Sequence, residues 1–141
     1  MTHLLQRIVL GAAGIIALGI GSAIAITPAA FYGTYGIEIG SGPDLLSELR
    51  APGVNLAVLG LLIAAGAVKT QLTRLASMLG AFVFLSYAAG RLIGVAADGW
   101  PSGGIIDAMM IELVIGGVCL ALFLRGRTAA SALPNLAGQA T

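Results

Sequence analysis

One cysteine, one histidine and one tryptophan in 141 residues leave little material for several common chemistries. Cys119 stands alone in an apolar run, so no intramolecular disulfide and no Cys-x-x-Cys metal site can form, and it reads as a small hydrophobe. His3 is isolated near the N-terminus, with no Cys/His pair or ligand cluster around it, so neither a metal nor hydrolytic or metal-dependent catalysis is expected. Charged residues are only 9% of the chain, against about 25% in an ordinary soluble domain. A formal net charge of +1 supplies no basic field, which sets nucleic acid aside as a partner. No haem or nucleotide motif is present, and the GIGSA run at 19–23 is helix packing, since a phosphate-binding glycine loop has to follow a strand. No cofactor is expected.

What fills the chain instead is apolar: 58% of residues are hydrophobic and the mean hydropathy is +1.01. The solvent for such a sequence is a lipid bilayer. A helix needs about 20 residues to cross a hydrocarbon core roughly 30 Å thick. Runs at about 8–28, 52–68, 75–97 and 105–124 meet or approach that length, and none shows the alternation or the shorter period of a barrel strand. The expected fold is all-α, a polytopic four-helix membrane bundle forming one domain over 1–127, with a longer outer loop between the first two spans. A small, polar tail, 128–141, follows. Pro52 fits the first turn of the second span, where its missing N–H would be unpaired in any case.

The first run has a rival reading as a cleavable signal peptide, with Arg7 as the charged region and Ser22-Ala23-Ile24-Ala25 as the cleavage pattern. It is longer than a usual signal core, so retention is expected. No lipidation motif is seen at either end. Basic residues then fix the orientation. With four crossings Arg7, Lys69, Arg74, Arg125 and Arg127 fall on one side, while Glu38, Asp44, Glu48, Asp98 and Asp107 fall on the other. By the positive-inside rule both termini are cytoplasmic, which for a bacterial protein means the inner membrane.

The first loop, 29–50, carries Phe31, Tyr32 and Tyr35, rings suited to a membrane interface, and a short interfacial helix from Pro43 to Leu49. A ligand-gathering lid is the functional alternative for it. Ala13, Ala17, Gly21 and Ala25 recur every fourth residue and make a smooth stripe for close helix contact. Gly80, Gly90, Gly94, Gly116 and Gly117 offer further contacts, within the chain or to a second copy. No internal repeat supports an inverted-repeat transporter.

Charges inside the spans carry the candidate site. An Arg or Asp at a helix centre costs about 2.5 to 3.5 kcal/mol even on the mild insertion scale, so a partner is expected. Arg91 and Glu112 lie at matched depth on consecutive antiparallel spans, roughly 10 Å below the outer surface, and should pair. Tyr87, Arg91, Gly94 and Asp98 share one face of the third span. Glu48, Arg50 and Asn55 enter at the same level from the second. These seven polar residues, Glu48, Arg50, Asn55, Tyr87, Arg91, Asp98 and Glu112, form the expected cluster. Asp107, about 140° around the helix from Glu112, is placed at the outer interface with the Asp98-Gly99-Trp100 turn.

The combination of ELR at the head of the second span, GR late in the third, DGWPS in the outer turn and a glutamate in the fourth resembles a bacterial family of four-helix membrane proteins. That family is known only as a domain of unknown function, the "four-three-four-five" type, and the resemblance covers about 5–125. It places Glu48, Arg50, Gly53, Gly90, Arg91, Asp98, Gly99, Pro101, Ser102 and Glu112 at its positions and implies a fold but no activity. The functional expectation is a non-enzymatic accessory or scaffold subunit, acting in a larger membrane complex or as a homo-oligomer. The alternatives are an oligomeric small-molecule or proton-coupled transporter, or a lipid or small-molecule binder using Arg50, Arg91 and Glu112. A lipid-modifying enzyme would need Glu112 and Asp98 to converge on one cavity. The small multidrug exporters carry their glutamate in the first span, which here has no carboxylate.

Overall fold

In hydrocarbon a backbone has to satisfy its own N–H and C=O groups, so long apolar runs become helices. The computed structural model describes residues 2–131, and within them the chain is helical with no strand. The order is α1 (Thr2–Ile26), α2 (Pro28–Gly33), α3 (Pro43–Val68), a single 3-10 turn (Thr70–Leu72), α4 (Thr73–Asp98) and α5 (Gly103–Ser131). Four of these helices, α1, α3, α4 and α5, are long and apolar enough to cross a membrane. They run up, down, up and down.

Two boundaries differ from the expectation. The second span starts at Pro43, not Pro52: Pro43 takes the first-turn position, Asp44 adds an acidic residue to that turn, and the short helix expected over 43–49 is continuous with the span. Pro52 therefore sits inside α3. It leaves the Glu48 carbonyl without its helical donor. The helix tolerates this because both residues are exposed and lie near the end of the bundle, outside the packed core. The fourth span ends at Arg125, but its helix continues through Ser131 into the region expected as a tail, while 132–141 lie outside the described residues.

Small residues decide how the helices approach. A Cβ on Gly14, Gly21 or Gly60 would collide with the backbone of the facing helix, at Ala64, Ala57 and Leu18 respectively. One on Gly53 would come within 2.8 Å of the Ala25 nitrogen. The α1 and α3 backbones are thus in direct contact, and Ala13 and Ala17 are buried beside them. The α4–α5 contact is of another kind. There Leu85 seats on Gly116, the Cys119 thiol seats on Gly80, and the Arg74 guanidinium lies 5.6 Å from the centroid of the Phe123 ring. Leu10, Ile63, Ala76, Phe84 and Cys119 tie the two pairs into one core.

The connections are short. Gly99 adopts φ +94, a left-handed value that suits glycine, and its N–H donates to the Val95 carbonyl to close α4. Consecutive long helices pack against each other, whereas α1 and α5 meet only briefly. That gap, at the end of the bundle that carries α2, holds a large cavity.

Candidate functional site

The cavity measures about 900 Å³ and is lined mainly by α1, α4 and α5. Its deep wall is apolar, built from Ile16, Ala17, Leu56, Val83 and Phe84. Its mouth is aromatic. Phe31, Tyr32 and Tyr35 meet edge to face, with centroids 5.4 and 5.6 Å apart. Pro28 at the start of α2 and the turn ending at Gly36, φ +74, fold these rings back over the bundle. A Cβ on Gly104 would lie 3.2 Å from the Tyr35 ring, so the rings rest on the first turn of α5.

Arg91 and Glu112 stand between mouth and floor. The arginine Nε donates to both carboxylate oxygens, at 3.1 and 2.9 Å, and Nη2 donates to Oε1 at 3.0 Å. This forked arrangement is the strong geometry for a guanidinium and a carboxylate. The two side chains are 26% and 13% exposed, so the pair is largely withdrawn from its surroundings without being sealed. It is the ion pair anticipated from matched depth. Nη1 of Arg91 has no protein partner among the described residues, and it is not sealed away from the cavity.

Of the residues expected in the cluster, Tyr87, Arg91 and Glu112 share the cavity lining. Glu48, Arg50, Asn55 and Asp98 are exposed and outside it. Matched depth does not fix the direction around a helix for Glu48, Arg50 and Asn55, whereas Asp98, on the same face as Arg91, is the last residue of α4 and lies two turns beyond the pair. Arg50 instead serves the first helix, where its Nε donates to the Ala25 carbonyl at 3.2 Å and closes the C-terminus of α1. Arg7 does the same for α3 at the other end, donating to the Ala67 carbonyl at 2.7 Å. Each helix of the α1–α3 pair thus supplies an arginine to its partner's orphan carbonyls, where the helix dipole also favours a cation.

The cavity adds residues that spacing alone did not assign. Asp107, placed by the sequence at the outer interface, also lines the cavity. It lies three residues beyond Gly104 and so on the same face of α5. The aromatic rings, read mainly as interfacial anchors, form the mouth. Gly90 lines the cavity with open space where a Cβ would be. Glu112 lines this cavity and Asp98 does not. No cluster of three His, Cys, Asp or Glu side chains suited to a metal occurs among the described residues. A smaller hollow of about 220 Å³ at the opposite end is lined by His3, Gln6, Thr70, Thr73, Arg74 and Ser77.

One family model matches the chain: Domain of unknown function (DUF4345), over residues 5–123. No curated protein and no solved structure matches.

Proposed function

The chain belongs to the DUF4345 family, a domain of unknown function, and from the cavity we propose that the protein binds an amphipathic small molecule or lipid without transforming it. The supporting observation is the cavity itself: about 900 Å³, with an apolar floor and a bidentate Arg91–Glu112 pair above it. Ligand sites are commonly concave, mostly apolar and furnished with a few convergent polar groups. The axial distance from Val83 to Arg91 is eight residues of α4, about 12 Å, enough for the tail of an amphiphile below a polar head. The gap between α1 and α5 gives such a molecule a lateral way in from the bilayer.

Under this reading Arg91 and Glu112 orient the ligand and Arg50 belongs to the scaffold. An accessory subunit holding a larger complex together is the second reading, favoured by Gly94 and Gly117, which have open space around them. The Ala13, Ala17 and Gly21 stripe is already covered by α3 and leaves little for a partner. We assign the protein to a bacterial inner membrane with both termini cytoplasmic, so that the cavity mouth faces outward, on the strength of the basic residues gathered at the opposite end.

The test is to fill the cavity without disturbing the fold. Gly90→Leu adds a side chain at a lining position where a Cβ meets nothing within 4 Å. Protein purified gently from its membrane is expected to carry a bound amphiphile, seen by native mass spectrometry, that Gly90→Leu loses with little change in melting temperature. An identical set of bound molecules in both proteins would refute the reading.

A further inference from the structure

The charges in the lining do not balance. Two carboxylates, Asp107 and Glu112, stand against one guanidinium, Arg91, a formal excess of one negative charge. Glu112 is occupied, because both of its oxygens accept from Arg91. Asp107 has neither an ion-pair partner nor a hydrogen-bond partner among the described residues. Asp107 is exposed at the rim of the lining, and it is the carboxylate there that a cationic head could meet without displacing a protein partner.

Its neighbours point the same way. Gly104 lies one helical turn from Asp107 on the same face of α5 and carries the Tyr35 ring against it. Phe31 and Tyr32 complete the aromatic cluster at the mouth. Ring faces attract cations through their quadrupole, more strongly where water is excluded, and aromatic surroundings are a recurring solution for ammonium groups. An anion entering the same space would meet the excess negative charge of Asp107 and find Arg91 already engaged by Glu112. A neutral amphiphile would gain the apolar floor and nothing from Asp107.

We propose that the ligand is a monocationic amphiphile, with its ammonium or similar charged head between Asp107 and the Phe31–Tyr32–Tyr35 rings and its apolar body lying past Tyr87 toward Val83 and Phe84. The assignment rests on the binding function proposed above and specifies its substrate class. The Arg91–Glu112 pair, neutral as a pair, still orients the ligand, and Asp107 carries the selectivity for head charge.

Three probes with the same twelve-carbon chain separate head charge from tail burial: dodecyltrimethylammonium, dodecanol and dodecanoate. Each is offered to the full-length protein in lipid nanodiscs, and retention is read by native mass spectrometry for wild type, Asp107→Asn and Gly90→Leu. Wild type should retain the cation at least tenfold more tightly than either other probe. Asp107→Asn should abolish that preference while leaving dodecanol retention and melting temperature unchanged. Equal or better retention of dodecanol or dodecanoate by wild type, or a cation preference that survives Asp107→Asn, would overturn the cationic assignment. If Gly90→Leu still blocks retention in that case, the cavity remains the binding site and only the ligand class is wrong. If Gly90→Leu retains all three probes like wild type, the cavity reading fails and the assignment with it.

Discussion

The α1–α3 and α4–α5 pairs use small residues for opposite purposes. In α1–α3 glycine faces backbone: at Gly14, Gly21, Gly53 and Gly60 an added Cβ would meet the main chain of the facing helix. The ends are clamped by Arg7 and Arg50. In α4–α5 glycine faces side chains: Gly80 receives Cys119 and Gly116 receives Leu85, which keeps the helices further apart. That spacing leaves room for a forked ion pair and, toward α1, for a cavity. Where lipid removes the hydrophobic incentive for association, close backbone contact makes a rigid hairpin. The looser pair can hold polar groups because it encloses space for them.

The largest effect should come from erasing that distinction. Gly60→Leu drives a branched side chain into the α1 backbone, and overpacking typically costs about 1 to 3 kcal/mol even when side chains can yield. A backbone cannot yield so easily, so little folded protein should be recovered from membranes. Comparable yields of Gly60→Leu and wild type would mean that the two helices do not touch as described.

Next is the ion pair. Arg91→Leu alone strands the Glu112 carboxylate, and losing one partner of a buried pair costs about 3 to 5 kcal/mol. Replacing both by leucine should restore most of the loss, giving a higher melting temperature in detergent than either single variant. Purely additive losses would argue against direct contact. Smaller is the effect on the clamps. Arg7→Ala and Arg50→Ala each remove one exposed hydrogen bond at a helix C-terminus, where a cation is worth about 0.3 to 1 kcal/mol. Because they act at opposite ends of the hairpin, their effects on melting temperature should add. Smallest is Gly117→Leu, at a position where an added Cβ meets nothing within 4 Å, which should stay within about 0.5 kcal/mol of wild type. A large loss there would reveal a partner surface on α5 and favour the accessory-subunit reading.

Much of this was legible in the sequence because hydrophobicity and depth are one-dimensional quantities. Four spans followed from four apolar runs, and the Arg91–Glu112 pair from equal counting inward on neighbouring helices. Direction around a helix was less accessible. Arg50 and Asn55 sit at the right level yet point away, and no spacing announces that Ala25 offers Arg50 a free carbonyl. The α1 stripe was visible as Ala13, Ala17 and Gly21, but its complement on α3, Gly53 and Gly60, gains meaning only when the helices are placed face to face. Pro52 misled the boundary because its tolerance inside α3 depends on exposure, not on residue type. The cavity could not be read at all. It is defined by where α1 and α5 fail to meet.

If the polar pair serves a bound molecule and not only the register of two helices, removing both charges together should separate folding from binding. The decisive experiment takes the Arg91→Leu, Glu112→Leu double variant, confirms by its melting transition that it is folded, and compares the amphiphile it retains with that of wild type by native mass spectrometry. A folded double variant that has lost or exchanged the bound molecule is the expected result. One that retains the same molecule at the same occupancy would make the pair a structural staple and refute its role in binding.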